Sequence, residues 1–120
     1  MKLYDSELKI MESLWHSGEL PASELAKNME DETGWNKNTT YTVIKKCIER
    51  GAIQRKEPGY ICIPLIREDE VQKEQTDELI DRMFSGSAHL FLSHFLKSRK
   101  LSDNDVDQLK KTIDRLKGEK

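Results

Sequence analysis

Cysteine is scarce in this 120-residue chain, with Cys47 and Cys62 the only two. Two cysteines make no disulfide framework, so the sequence points to a reducing, cytoplasmic compartment. Long apolar runs are missing altogether. The longest extend a few residues, which excludes a transmembrane helix and leaves no room for a secretory signal core. Apolar residues make up 36% of the chain and charged residues 35%, a balance that supports only a thin core. Apolar surface left exposed on such a chain calls for a partner, most simply a second copy. There is no Gly-rich phosphate loop and no nucleophile–base signature, and the chain is too short to enclose a sizeable pocket. An enzyme is therefore not expected. No internal repeat or low-complexity segment is present.

Charge is plentiful but unevenly placed. The net charge is −2, yet residues 1–36 carry three basic side chains against eight acidic ones. Residues 37–56 carry six basic side chains (Lys37, Lys45, Lys46, Arg50, Arg55 and Lys56) against Glu49 alone, a net of +5. Binding to a polyanion depends on local contacts, so a patch of this kind suits nucleic acid even on an acidic molecule. A basic helix face that is merely solvated is the plainer alternative.

The chain reads as helices, a hairpin, then helices again. Leu8, Ile10, Met11, Leu14 and Trp15 recur at helical spacing over Asp5–Ser17, with Asp5 or Ser6 as the cap and Gly18 as the stop. Pro21 suits the first position of a second helix that buries Leu25 and Met29, and the charged run Glu30–Gly34 is expected to be loop. Asn36 caps a third helix running to Arg50, ended by Gly51. Its inner arc is Thr40, Val43, Ile44, Cys47 and Ile48. Residues 52–57 and 60–64 read as two short strands joined at Pro58-Gly59, with Pro64 ending an edge strand. Beyond Arg67 come three helical stretches: Glu68–Phe84, Ala88–Lys97 and one capped by Ser102. The expected class is mainly α with a small β-hairpin wing. A winged helix-turn-helix spans 1–66 and a helical dimerisation domain spans 67–120.

The outer face of the third helix mixes amide, hydroxyl, phenol and ammonium groups. Asn38, Thr39, Tyr41 and Thr42 lie in its first turns, the part of a helix-turn-helix that reaches deepest into the major groove. Asn pairs with adenine and the Thr methyl can meet thymine, while Lys37, Lys45 and Lys46 reach bases or phosphates. Arg55 and Lys56 sit where a wing would meet the backbone. The competing reading is a winged helix used for protein contacts alone, and such modules usually lack a basic, hydroxyl-rich face. Cys47, Trp15 and Trp35 read as core residues. His16, His89, His94 and the two cysteines show no metal-ligand spacing. The apolar helix around Leu90–Leu96 lacks the basic polar face of membrane-surface helices, so burial between subunits is expected and direct membrane binding is not. Expected dimer contacts are Leu79, Met83, Phe84, Leu90, Phe91 and Phe95, with Val106, Leu109, Ile113 and Leu116 forming a helix-packing seam.

Three blocks carry a family resemblance. Gly34-Trp35-Asn36-Lys37-Asn38-Thr39-Thr40-Tyr41-Thr42-Val43-Ile44-Lys45-Lys46-Cys47-Ile48-Glu49-Arg50-Gly51 resembles the recognition-helix signature of the penicillinase-repressor family, of the BlaI/MecI type. Ser6-Glu7-Leu8-Lys9-Ile10-Met11-Glu12-Ser13-Leu14-Trp15 resembles its first helix, and Leu101–Leu109 its closing dimerisation helix. The resemblance implies a homodimeric repressor on a pseudo-palindromic operator in double-stranded DNA. Carried over by position, DNA contacts fall on Asn38, Thr39, Tyr41, Thr42, Lys45 and Lys46. Tyr41 stands where some members carry Arg, so the operator sequence need not be shared. In the β-lactam-responsive members a membrane sensor protease system triggers cutting at an Asn–Phe bond. The matching bond here is His94–Phe95, so the resemblance implies release by cleavage there or by another signal. The Cys-x-Cys metal motif of copper-responsive relatives is missing, so no metal and no cofactor are implied.

Overall fold

The computed structural model describes residues 1–119. The chain divides into two compact units, Met1–Asp77 and the remainder from Glu78. In the first unit, α1 (Asp5–Ser17), β1 (Leu20–Pro21), α2 (Ala22–Thr33) and α3 (Lys37–Glu49) precede β2 (Ile53–Lys56) and β3 (Ile61–Pro64). Helix α4 (Glu68–Met83) crosses the division, and α5 (Ala88–Ser98) and α6 (Asp103–Gly118) follow. Three helices and a small antiparallel sheet give the winged helix-turn-helix architecture.

The cap of α1 is Tyr4, not Asp5 or Ser6. The Glu7 carboxylate reaches back and accepts the Tyr4 N–H at 3.0 Å, which sets the helix start one residue earlier. Pro21 likewise stands outside α2, as its cap, because it is paired with Ile61 in the sheet. The segment read as loop after Met29 is helix to Thr33. Met29 is fully buried, and the charged residues behind it point to solvent, where they cost the helix little. The stop is Gly34, whose left-handed conformation (φ 76°) returns its N–H to Glu30 O.

The sheet has three strands in the order β1-β3-β2. The two-residue β1 pairs with β3 through Leu20↔Cys62 and Pro21↔Ile61, so β3 is central and not an edge. Pro64 is tolerated because it is the last residue of β3, opposite Ile53.

One face of each helix meets at the core. Ile10, Met11 and Leu14 of α1 pack with Leu25 and Met29 of α2, Ile44 and Cys47 of α3, and Ile53 and Cys62 of the sheet. Each fully buried Ile, Leu or Met side chain contributes about 2 kcal/mol. Val71 closes the cluster from the first turns of α4. Trp15 and Trp35 pack against this core from its border, and Trp15 Nε1 donates to Ile66 O at 2.9 Å.

In the second unit, Ser87 caps α5 by accepting the Leu90 N–H at 3.1 Å. Ser102 and Asp105 form a reciprocal capping box at the start of α6. Neither helix has a buried side chain among the described residues.

Candidate nucleic-acid interface

Helix α3 is fixed at both ends. At its start, Asn36 Oδ1 accepts the Thr39 N–H at 2.8 Å, satisfying a backbone donor that the first turn leaves open. At its end, Arg50 donates to the buried carboxylate of Glu7 and to Lys2 O at 2.5 Å. Its guanidinium pKa is raised by the hydrogen bond to Glu7. Because α1 and α3 share this pair, the outward azimuth of α3 is set by the core on one side and by an ion pair on the other.

That azimuth exposes Lys37, Asn38, Thr39, Thr42, Lys45 and Lys46, with Tyr41 half-buried among them. Thr42 spends its hydroxyl hydrogen on Asn38 O at 2.9 Å, leaving oxygen lone pairs and its methyl facing outward. The ammonium of Lys37 lies 5.7 Å from the Tyr41 ring centroid. Lys45 and Lys46 have no ion pair among those described, so their full charge is available to an anion.

The wing is less simply cationic. Arg55 and Glu57 alternate onto one side of β2 and the turn after it, and Arg55 Nε donates to Glu57 Oε1 at 2.5 Å. This contact raises the Arg55 pKa and lowers that of Glu57. The guanidinium lies 3.6 Å from the Tyr60 ring centroid, and Tyr60 meets Tyr41 edge to face at 5.7 Å. Lys56 is exposed. Tyr41, Lys45, Ile48, Glu49, Arg55 and Tyr60 together line an open recess of about 400 Å³ between α3 and the wing.

Neither Tyr60 nor Glu57 is among the contact residues expected from the sequence. The signal was there in the strand alternation that puts Arg55 and Glu57 on one side. What fails to show in sequence is the fold-back that carries Tyr60 onto α3. The two cysteines are free and buried. Desolvation pushes the Cys47 thiol up to about 12 and that of Cys62 to about 11, so neither is poised as a nucleophile. Among the described residues, no group of three or more His, Cys, Asp or Glu side chains is placed to hold a metal ion. Among the described residues, no helix is long and apolar enough to cross a membrane.

The expected dimer residues lie on α4, α5 and α6, except Phe84, which directly follows α4. Leu79, Met83, Leu90, Val106, Leu109, Ile113 and Leu116 are exposed, and Phe84, Phe91 and Phe95 are half-buried. Phe84 and Phe91 touch edge to face at 5.4 Å, and Phe84 also meets His94 at 5.8 Å. The His94–Phe95 bond is inside α5.

Comparison with known proteins places this geometry. The penicillinase repressor family matches residues 3–115. A penicillinase repressor of Bacillus licheniformis is 22% identical over 121 residues, spanning 99% of this chain and 94% of that protein. The methicillin resistance regulatory protein MecI of Staphylococcus aureus (strain N315) is 18% identical over 116 residues, spanning 95% of this chain and 94% of its own length. Among solved structures, the DNA binding domain of the repressor BlaI superposes with a TM-score of 0.53 at 25% identity, covering 58% of this chain and 93% of that one. The monomeric form of Bacillus licheniformis BlaI in complex with the blaP half-operator gives 0.53 at 24% identity, covering 58% and 88%.

Proposed function

The chain belongs to the penicillinase repressor family, and from that premise we propose that it is a DNA-binding transcriptional repressor that acts as a homodimer on a pseudo-palindromic operator. One observation carries the reading. The polar and cationic side chains of α3, Asn38, Thr39, Thr42, Lys45 and Lys46, are all exposed on one face beside the wing. Their chemistry matches base edges and phosphates, and α3 is held from behind by the core. Asn38, Thr39, Tyr41 and Thr42 take the base-proximal places, with Lys37, Lys45, Lys46, Arg55 and Lys56 serving phosphates.

The dimer reading is supported by α5 and α6. Apolar side chains recur there at three- and four-residue spacing without being buried, and a second copy supplies the matching surface. In this reading residues 67–120 form the pairing domain. Release by cleavage between His94 and Phe95 belongs to the same proposal. It requires α5 to open locally, because both residues are in helical conformation.

The test is a gel-shift and footprint on the promoter upstream of the chain's own gene, repeated across salt concentrations. A two-fold protected site is expected, with affinity falling steeply as salt rises. Lys45→Ala should weaken binding to every sequence alike, whereas Thr42→Ala should cost about 1–3 kcal/mol of discrimination at one base pair. Equal losses of Thr42→Ala on operator and random duplex would remove Thr42 from the base-reading set.

A further inference from the structure

Tyr60 is bulky, yet its backbone sits at φ 49°, in the left-handed region that side chains of its kind rarely adopt. Such a conformation persists only where the surroundings hold it. Four contacts do so. The Tyr60 carbonyl accepts the Ala22 N–H at the start of α2 at 2.9 Å, and its own N–H donates to Glu57 Oε2 at 3.2 Å. Its ring receives the Arg55 guanidinium on one face and stands edge-on to Tyr41 of α3. The ring is thus a spacer between a wing cation and the helix that would read bases.

We propose that Tyr60 is a positioning residue that holds Arg55 at a fixed offset from α3, so that Arg55 meets a DNA phosphate while α3 sits in the groove. The proposal rests on the DNA-binding reading above and names a residue for the same surface. A guanidinium carries five N–H donors in a rigid fork, and stacking fixes its plane while leaving an edge for a phosphate. The Nε contact to Glu57 orients the fork further, at the expense of one donor. A free arginine on a hairpin would lose side-chain entropy on docking. One already laid on Tyr60 loses less, which is the advantage of preorganisation.

The experiment uses the full chain and a fluorescent mixed-sequence duplex of about 30 base pairs, because a phosphate contact is sequence-independent. Binding is measured between about 50 and 200 mM salt for wild type, Arg55→Ala, Tyr60→Leu, Tyr60→Phe and the Arg55→Ala/Tyr60→Leu double variant. Each phosphate contact contributes about 0.9 to the slope of log affinity against log salt. Arg55→Ala and Tyr60→Leu should each flatten the slope by about that amount, and the double variant by no more than either alone. Tyr60→Phe, which keeps the aromatic face, should retain the wild-type slope. Leucine keeps apolar bulk against Tyr41 with the same backbone demand, so a general loss of wing structure would appear as a lower melting temperature in Tyr60→Leu. A wild-type slope in Tyr60→Leu, or additive losses in the double variant, overturns the proposal alone. A wild-type chain whose binding ignores salt overturns the DNA-binding reading and this proposal with it.

Discussion

Thr40 is the one fully buried hydroxyl without a hydrogen-bond partner among the described residues. It lies on the inner face of α3, where valine would fill nearly the same space without a donor to satisfy. Thr40→Val should raise stability by about 1 kcal/mol, or about 4 °C in melting temperature. A lower melting temperature would mean that the hydroxyl is satisfied in solution. The two thiols make a second expectation. Their neutral forms are favoured by burial, so the folded chain holds these protons where the unfolded chain releases them. Stability is unaffected well below pH 9 and falls as pH rises from there toward the values of about 11 and 12 set by Cys62 and Cys47. Thermal melts between pH 8 and 11 should show that decline, flattened in Cys47→Val. An unchanged decline in that variant would trace it to other groups. Helical spacing alone places Cys47 inside, whereas the burial of Cys62 and the missing partner of Thr40 depend on packing that no local pattern encodes.

At the level of elements, the strongest local signals were the most accurate. Apolar spacing gives α1 its full extent, and Asn36 marks the cap just ahead of α3 because its side-chain oxygen accepts a backbone N–H three residues on. Asn36→Ala should cost about 1 kcal/mol in a urea titration. It should also weaken DNA binding beyond that fraction unfolded, since Asn38 and Thr39 ride on the turn it organises. A stability loss with unchanged affinity would separate the cap from the reading surface. Where the signal was long-range, sequence fell short. The two residues of β1 have no strand pattern of their own and become a strand only by pairing with β3, some forty residues later. The charged end of α2 looks like loop in isolation and is helix because Met29 is anchored beneath it. Arg55 was legible as a wing cation, but its stacking on Tyr60 required the turn geometry.

For the whole molecule, the cation excess of residues 37–56 is smaller in effect than the sequence count. Arg50 is matched by Glu7, and Arg55 shares its charge with Glu57 through Nε while its other donors remain, so the lysines of α3 and Lys56 are the cations without an ion pair among those described. The thin core inferred from composition is concentrated in the first unit, while α5 and α6 hold their apolar side chains on the surface. Ile113, at 55% exposure, and Leu116, at 60%, are the most open of the α6 seam. Ile113→Glu should move the chain toward a single copy in sedimentation velocity while its helical circular dichroism stays within error of wild type. Operator affinity should drop with it, because two half-sites bound together gain from linkage that separate subunits lack. An unchanged mass would assign the seam another role. Composition points to a partner, and spacing names the side chains proposed to supply it.

Strand β1 leads directly into α2, and its partner β3 is the strand that follows the turn bearing Tyr60. The hairpin is therefore stapled to the start of α2 beside its turn, through Leu20↔Cys62, Pro21↔Ile61 and the Ala22 N–H on the Tyr60 carbonyl. When such a body lands on a duplex whose local curvature is wrong, the accommodation falls to the nucleic acid. On the proposed DNA-binding reading, sites rich in easily deformed pyrimidine–purine steps are expected to be favoured even at base pairs that no side chain touches.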